Sequence, residues 1–193
     1  SSHRRQRQMC IRDSNNGGAT STDEPTGVST SVTTTADGYR WKFMYTLSAA
    51  QQASFLSVDF MAVSPNSSPG SDQSNVISAA VDGSINVIKI KSAGSGGTNG
   101  THTNVPIRGD GTGGFCSVTV SGGAVTAVSV TNAGSGYTFG TVSNADIVAA
   151  GATSLAGSEL DVIIPPKGGH GANAREELGG FFVMMNTSLE GTE

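Results

Sequence analysis

Period-two alternation marks the first strong element of the chain. In "YRWKFMYTL" (39–47), Tyr39, Trp41, Phe43, Tyr45 and Leu47 fall on one face and Arg40, Lys42, Met44 and Thr46 on the other. That is the pattern of a half-buried strand whose aromatic face anchors a core. Ser48 follows, and with Gln51 three residues on it forms a Ser-x-x-Gln capping box opening a short helix over "AAQQASFL". "VDFMAV" (58–63) returns to strand character, and "SPNSSPGSDQSN" closes the region as a flexible linker. Upstream, residues 15–38 are polar and rich in turn formers, so they read as an extended or looping segment. At the other end, "FFVMMNTSL" (181–189) reads as a strand with Phe181, Val183 and Met185 on one side. Phe182 and Met184 are apolar too, so both of its faces call for cover.

The middle of the chain repeats itself. "DGSINVIKIKSAGSG" (82–96) matches "GGAVTAVSVTNAGSG" (122–136) at an offset of 40 residues, aligning Gly83 with Gly123, Ile88 with Val128, and Ala93-Gly-Ser-Gly with Ala133-Gly-Ser-Gly. Each copy is a turn, an alternating strand and a second tight turn. A strand "FCSVTV" (115–120) precedes the second copy, and "ELDVII" (159–164) is its weaker equivalent. Units of this kind cannot bury a face alone and must stack on one another. Two copies make a small β-roll or sandwich rather than a long solenoid.

Short β-branched runs punctuated by 27 glycines, with charged residues at 13%, predict a mainly β chain with one short helix. The expected organisation is a β-sandwich parent domain begun by residues 15–75, interrupted by the glycine-rich repeat module at 76–166, and resumed at 167–193. Pro165-Pro166 and the glycines at 168, 169 and 171 mark the return.

Charge bears on partners only after the first residues are judged. "RRQRQMCIRDS" (4–14) holds Arg4, Arg5, Arg7 and Arg12 and would suggest phosphate contacts. The same residues read as one translated frame of a transposase-type sequencing adapter, so residues 1–14 are set aside from fold reasoning. The whole chain has a formal net charge of −4, and residues 15–193 carry 7 basic and 14 acidic side chains, a balance of −7. That balance disfavours a nucleic-acid partner. Setting Cys10 aside leaves Cys116 alone, so no internal disulfide is expected. No apolar run approaches the roughly 20 residues of a membrane span, and the chain reads as an internal fragment of a longer soluble protein.

Candidate chemistry is thin. His170 in "GGHGAN", His102 and His3 belong to no set with metal-ligand spacing, so no metal or other cofactor is expected. "GDGTGG" (109–114) and the two "AGSG" turns open no helix after a strand and read as turns, not phosphate cradles. Arg108-Gly109-Asp110 spells an adhesion tripeptide inside a glycine-rich loop. Asp110, Asp146, Glu159 and Asp161 are the carboxylates a glycosidase would need, yet no spacing singles out a pair, and Phe115, Tyr137 and Phe139 are the only rings near them that could stack on sugar.

One resemblance is specific. "NNGGATSTDEPTG", "DGYRWKFMYTLS" and above all "PPKGGHGANAREELGGFFVMMN" resemble the baseplate wedge protein of T-even-type contractile-tailed phages, the wedge subunit numbered eight, and together cover roughly 50 of the 193 residues. The resemblance implies a non-enzymatic virion structural protein, largely β, assembled in the host cytoplasm into the tail baseplate as a homodimer touching other wedge subunits. Trp41, Phe43 and Tyr45 in the aromatic strand, Arg175 and Glu176, and Phe181, Phe182, Met184 and Met185 in the terminal strand are then the candidate interface residues. For each apolar one, plain core packing is the competing role. The alternative function is a virion-displayed carbohydrate-binding or adhesion module, with a surface glycan as the partner of the repeat region.

Overall fold

A computed structural model describes residues 8–14, by backbone course, and 20–187. The described residues are mostly β, with three antiparallel sheets and four helices. They divide into two compact units, one up to Ala80 and again from Gly171, the other Val81–His170.

The first unit is built on one three-stranded sheet. Its centre is β3 (Arg40–Thr46), flanked by β1 (Gln8–Ser14) and the short β2 (Thr33–Thr34), both antiparallel to it. The stretch that reads as an adapter frame thus lies as a strand, because ladder bonds use backbone groups that any non-proline sequence supplies. Only one face of β3 was expected to be buried. Instead Tyr39, Phe43, Tyr45 and Leu47 are buried, and so are Met44 and Lys42 on the other face. Met44 packs with Tyr45, Leu47 and Ala174, while Lys42 Nζ donates to the Thr30 carbonyl. The irregular run before β3 is pinned by Asp37, whose carboxylate accepts from Ser21 Oγ (2.8 Å) and from the Thr22 and Asp23 amides (2.9 and 3.1 Å). Burial alone would raise its pKa, but these bonds together with the one from Thr35 outweigh that and hold it well below the usual carboxylate range.

The helix expected after Ser48 is α1 (Ala49–Phe55), and both arms of its capping box form: Gln51 N donates to Ser48 Oγ at 3.2 Å and Ser48 N to Gln51 Oε1 at 2.9 Å. Two other expectations fail here. "VDFMAV" is no strand, because Ser57 Oγ takes the Asp59 and Phe60 amides at 3.3 and 3.0 Å and bends the chain. Part of the supposed linker is helix α2 (Ser71–Ala79), which buries Gln73 and Val76, three residues apart on one face, with Asp72 in its favourable first turn.

The second unit is a sandwich of two sheets around one core that includes Ile85, Val105, Cys116, Val118, Ile147 and Leu160. Its strands in chain order are β4 (Val87–Ser95), β5 (Gly100–Pro106), β6 (Arg108–Gly109), β7 (Thr112–Ser121), β8 (Ala124–Ser135), β9 (Gly140–Val142) and β10 (Ala156–Ile163), with helix α3 (Asn144–Ala149) between the last two. One sheet runs β4-β10-β9-β6 and the other β5-β7-β8.

The sequence repeat is a structural duplication. β10 pairs with β4 as β7 pairs with β8: Ala156↔Ser95 matches Thr112↔Ser135, Leu160↔Ile90 matches Cys116↔Val130, and Ile163↔Val87 matches Thr119↔Ala127. Even the bulge recurs, at Glu159/Leu160 and at Phe115/Cys116. β9 and β5 occupy equivalent places, Val142 opposite Leu160 and Val105 opposite Cys116. The two copies also interlock reciprocally. Gly97 N donates to Gly123 O (2.9 Å), and at the matching positions Tyr137 N donates to Gly83 O (3.3 Å). Gly94 and Gly134 share the same left-handed φ, 65° and 61°, a conformation that L side chains rarely adopt.

Candidate interaction surface

The structure sorts the candidate interface residues into two groups. Trp41, Phe43 and Tyr45 are 8%, 3% and 0% exposed, so their rings are core within this chain. The Trp41 ring stacks on Tyr39 with centroids 6.1 Å apart, and its Nε1 donates to Thr35 Oγ1. Tyr45 Oη donates to Ala62 O at 2.8 Å, and burial pushes that phenol up to about 12. The other group faces outward. Phe181, Phe182, Val183, Met184 and Met185 are 75%, 96%, 91%, 41% and 81% exposed.

This terminal run was expected to be a strand, but residues 181–187 have no ladder partner among the described residues. β propensity cannot become a strand without a neighbour to bond. Before it, α4 (Ala174–Glu177) is capped by Asn173, whose Oδ1 accepts from Glu176 N, and Ala174 seats the helix against Met44 and Tyr45. Arg175 and Glu176 lie on its exposed side as a loose 3.7 Å ion pair, a contact of the class that contributes little to stability. Gly180 lies against Val63, and five residues past Phe181 the Asn186 amide donates to Ser54 O at 2.9 Å. The apolar run is therefore moored at both ends to the segment that carries two more exposed side chains, Val58 and Phe60. Val58 and Phe60 were missed at the level of sequence, because a strand reading of "VDFMAV" hides them in a core.

The residues that suggested chemistry are braces. Asp110 accepts from Thr138 Oγ1, from Thr138 N at 2.9 Å and from Phe139 N at 3.2 Å. The Thr138 hydroxyl and amide are the main reason its pKa falls to about 2. Arg108 is clamped to Asp146 at 2.8 Å, so the Arg-Gly-Asp tripeptide has both of its charged ends engaged. Hydrogen bonds from Arg108 and then from Ser143 lower the Asp146 pKa in turn. Lys91, at the bulge, meets Glu159 at 2.9 Å. A general acid needs the opposite shift, a carboxyl pushed up. His102 Nε2 lies 2.9 Å from Thr98 O, and His170 is half-buried in a run of glycine corners. Burial raises the Cys116 thiol to about 11, so it packs as an inert apolar group. Among the described residues no group of three or more His, Cys, Asp or Glu could hold a metal ion, and no helix is long and apolar enough to cross a membrane.

A shallow groove of about 330 Å³ lies on the second unit, with Lys91, Thr141, Asn144, Ser158, Glu159 and Asp161 in its lining. A charged row crosses the same sheet at one register, Lys89 opposite Asp161, Asp161 opposite Thr141, and Thr141 opposite Arg108. No aromatic ring lines the groove.

Acid should loosen this unit through Asp110. Its folded pKa lies below the ordinary value of 3.8, so the unfolded chain binds the proton more readily. The stabilisation is present above the ordinary value and is lost as pH falls through it toward about 2. Thermal melts of Asp110→Asn across this range should show a lower Tm near neutrality and a shallower loss with acid than the parent.

Comparison with known proteins adds no relative. No family model matches the chain, no curated protein matches it, and no solved structure matches it.

Proposed function

We propose that this chain is a structural subunit of a contractile phage-tail baseplate, working through docking to copies of itself and to other wedge subunits. The observation that carries the reading is the run Phe181–Met185, uncharged, outward-facing and fixed in place at Gly180 and Asn186. A monomer rarely leaves a contiguous apolar patch of this kind bare, and one that is held in place marks a contact surface. The strings resembling the wedge family supply the kind of assembly. The glycine corners and caps within "GGHGANAREELGG" support a scaffolding role for that string, since Gly171 N donates to Glu177 Oε2 at 2.9 Å and the Asn66 amide to Ala172 O at 2.7 Å.

A second reading has its own observation. The polar groove and charged row of the second unit could serve a surface glycan, with that unit displayed on the virion. Binding of the whole chain on a glycan array, lost on Asp161→Ala, would favour it.

Mass spectrometry of purified virions and of detached baseplates tests the main proposal. The chain is expected in both fractions, at a copy number set by the symmetry of the baseplate. Its absence from intact particles, or turnover of a polysaccharide by the purified protein, would sink the structural reading.

A further inference from the structure

The outward-facing run also holds two of the chain's five methionines. We propose that Met184 and Met185 form a reversible oxidation site, and that their sulfoxides keep an unassembled subunit from docking. The proposal rests on the docking reading and deepens it by naming how the same surface is regulated.

Exposure selects the site. Met185 is 81% exposed and Met184 41%, while Met44 is 1% exposed and packs with Tyr45, Leu47 and Ala174. Met61 is half-buried against the same cluster. A thioether is oxidised only where the oxidant can reach its sulfur, so Met185 should react first, Met184 next and Met44 last. Cys116 does not compete, because it is buried and its thiol is pushed up to about 11.

The oxidant is hydrogen peroxide. The sulfur lone pair attacks one peroxide oxygen and the O–O bond breaks. Sulfur is oxidised by two electrons to the sulfoxide, the proton on the transferred oxygen passes to the leaving hydroxide, and water departs. A methionine sulfoxide reductase, drawing two electrons from thiols, reverses the change and returns the oxygen as water.

The consequence falls on the surface and spares the fold. A thioether is flexible and polarizable and packs against whatever covers it. A sulfoxide sets a polar acceptor among Phe181, Phe182 and Val183, all exposed and without a polar side-chain atom. Covering the run would then bury that acceptor without a donor. The run keeps its place meanwhile, since Gly180 against Val63 and the Asn186 amide on Ser54 O hold it without using either methionine side chain.

Peptide mass mapping after a hydrogen peroxide pulse reads the site on the full chain. Met185 and Met184 should each gain one oxygen at least about 10-fold faster than Met44, with no change in melting temperature. The same pulse on intact virions should leave both residues unoxidised. A pulse given to a lysate before assembly should leave the sulfoxide form depleted in baseplates at least about 10-fold relative to the unassembled chain. A variant carrying both Met184→Leu and Met185→Leu keeps the apolar surface and offers no sulfur there, so it should enter baseplates equally well with and without the pulse. Met44 oxidised as fast as Met185, an oxidised chain that assembles as readily as the parent, or a double variant whose assembly peroxide blocks to the same degree would overturn the proposal and leave the docking reading standing. Equal oxidation of Met184 and Met185 in the free chain and in intact virions would overturn the docking reading and the switch together.

Discussion

Gly83→Ala should unfold the second unit under conditions where Gly122→Ala leaves it intact. Both glycines have nearly the same left-handed φ, 63° and 62°, so the intrinsic strain of an added methyl is shared and amounts to about 1–2 kcal/mol. Their surroundings differ. A Cβ on Gly122 meets open space, whereas one on Gly83 would lie 2.1 Å from Tyr137 N and 2.7 Å from Tyr137 O. Those are backbone atoms that cannot swing aside. The same approach carries the hydrogen bond from Tyr137 N to Gly83 O, one of the two reciprocal bonds that lock the repeat copies together. We expect a total loss of at least about 3 kcal/mol for Gly83→Ala against about 1 kcal/mol for Gly122→Ala. Thermal unfolding followed by circular dichroism decides it, and equal effects of the two substitutions would contradict the interlocked arrangement.

The second large effect centres on Tyr137. Its ring is 3% exposed and sits in a cradle of glycines: a Cβ at Gly111, Gly114 or Gly134 would come within 2.4 to 2.8 Å of the side chain. Its hydroxyl ties β7 to the residue between β5 and β6, donating to Ile107 O at 2.9 Å and accepting from Gly114 N at 3.1 Å. Tyr137→Phe keeps the packing and strands a buried amide and a carbonyl, which should cost about 1–3 kcal/mol. Tyr137→Ala also empties the cradle and should cost about 3–5 kcal/mol. Denaturant titration of the two variants separates the terms, the difference between them being the contribution of the ring. A Tyr137→Phe variant as stable as the parent would show that water replaces the hydroxyl.

These two positions show why the second unit was legible from sequence. Its turns need positive φ, which glycine supplies at little cost, so the pairs Gly94/Gly134 and Gly96/Gly136 appear in the sequence as the repeated AGSG and in the backbone as matched angles. The capping box at Ser48 was legible for a similar reason, since both of its bonds lie within four residues. Helix α2 was not, because its sequence is serine-rich and follows Pro-Gly. Its stability comes from burying Gln73 and Val76, a tertiary effect that local propensity does not record.

The interaction surface was legible only in part. Tyr39 to Leu47 and Phe181 to Met185 look alike as strings, both dense in large apolar groups. What separates them is the set of neighbours: β3 has strands on both sides and packs against the α4 region, while the terminal run has mooring points and, among the described residues, no strand beside it. Core and contact surface become distinguishable only once the chain is folded.

Hydrogen exchange read by mass spectrometry on the dilute chain and on assembled baseplates tests the docking account most directly. Amides of residues 181–187 should exchange within seconds in the dilute chain and become strongly protected in the assembly, while those of β3 stay protected in both. A terminal run that exchanges equally fast in the two states would contradict the claim that this surface exists to be covered.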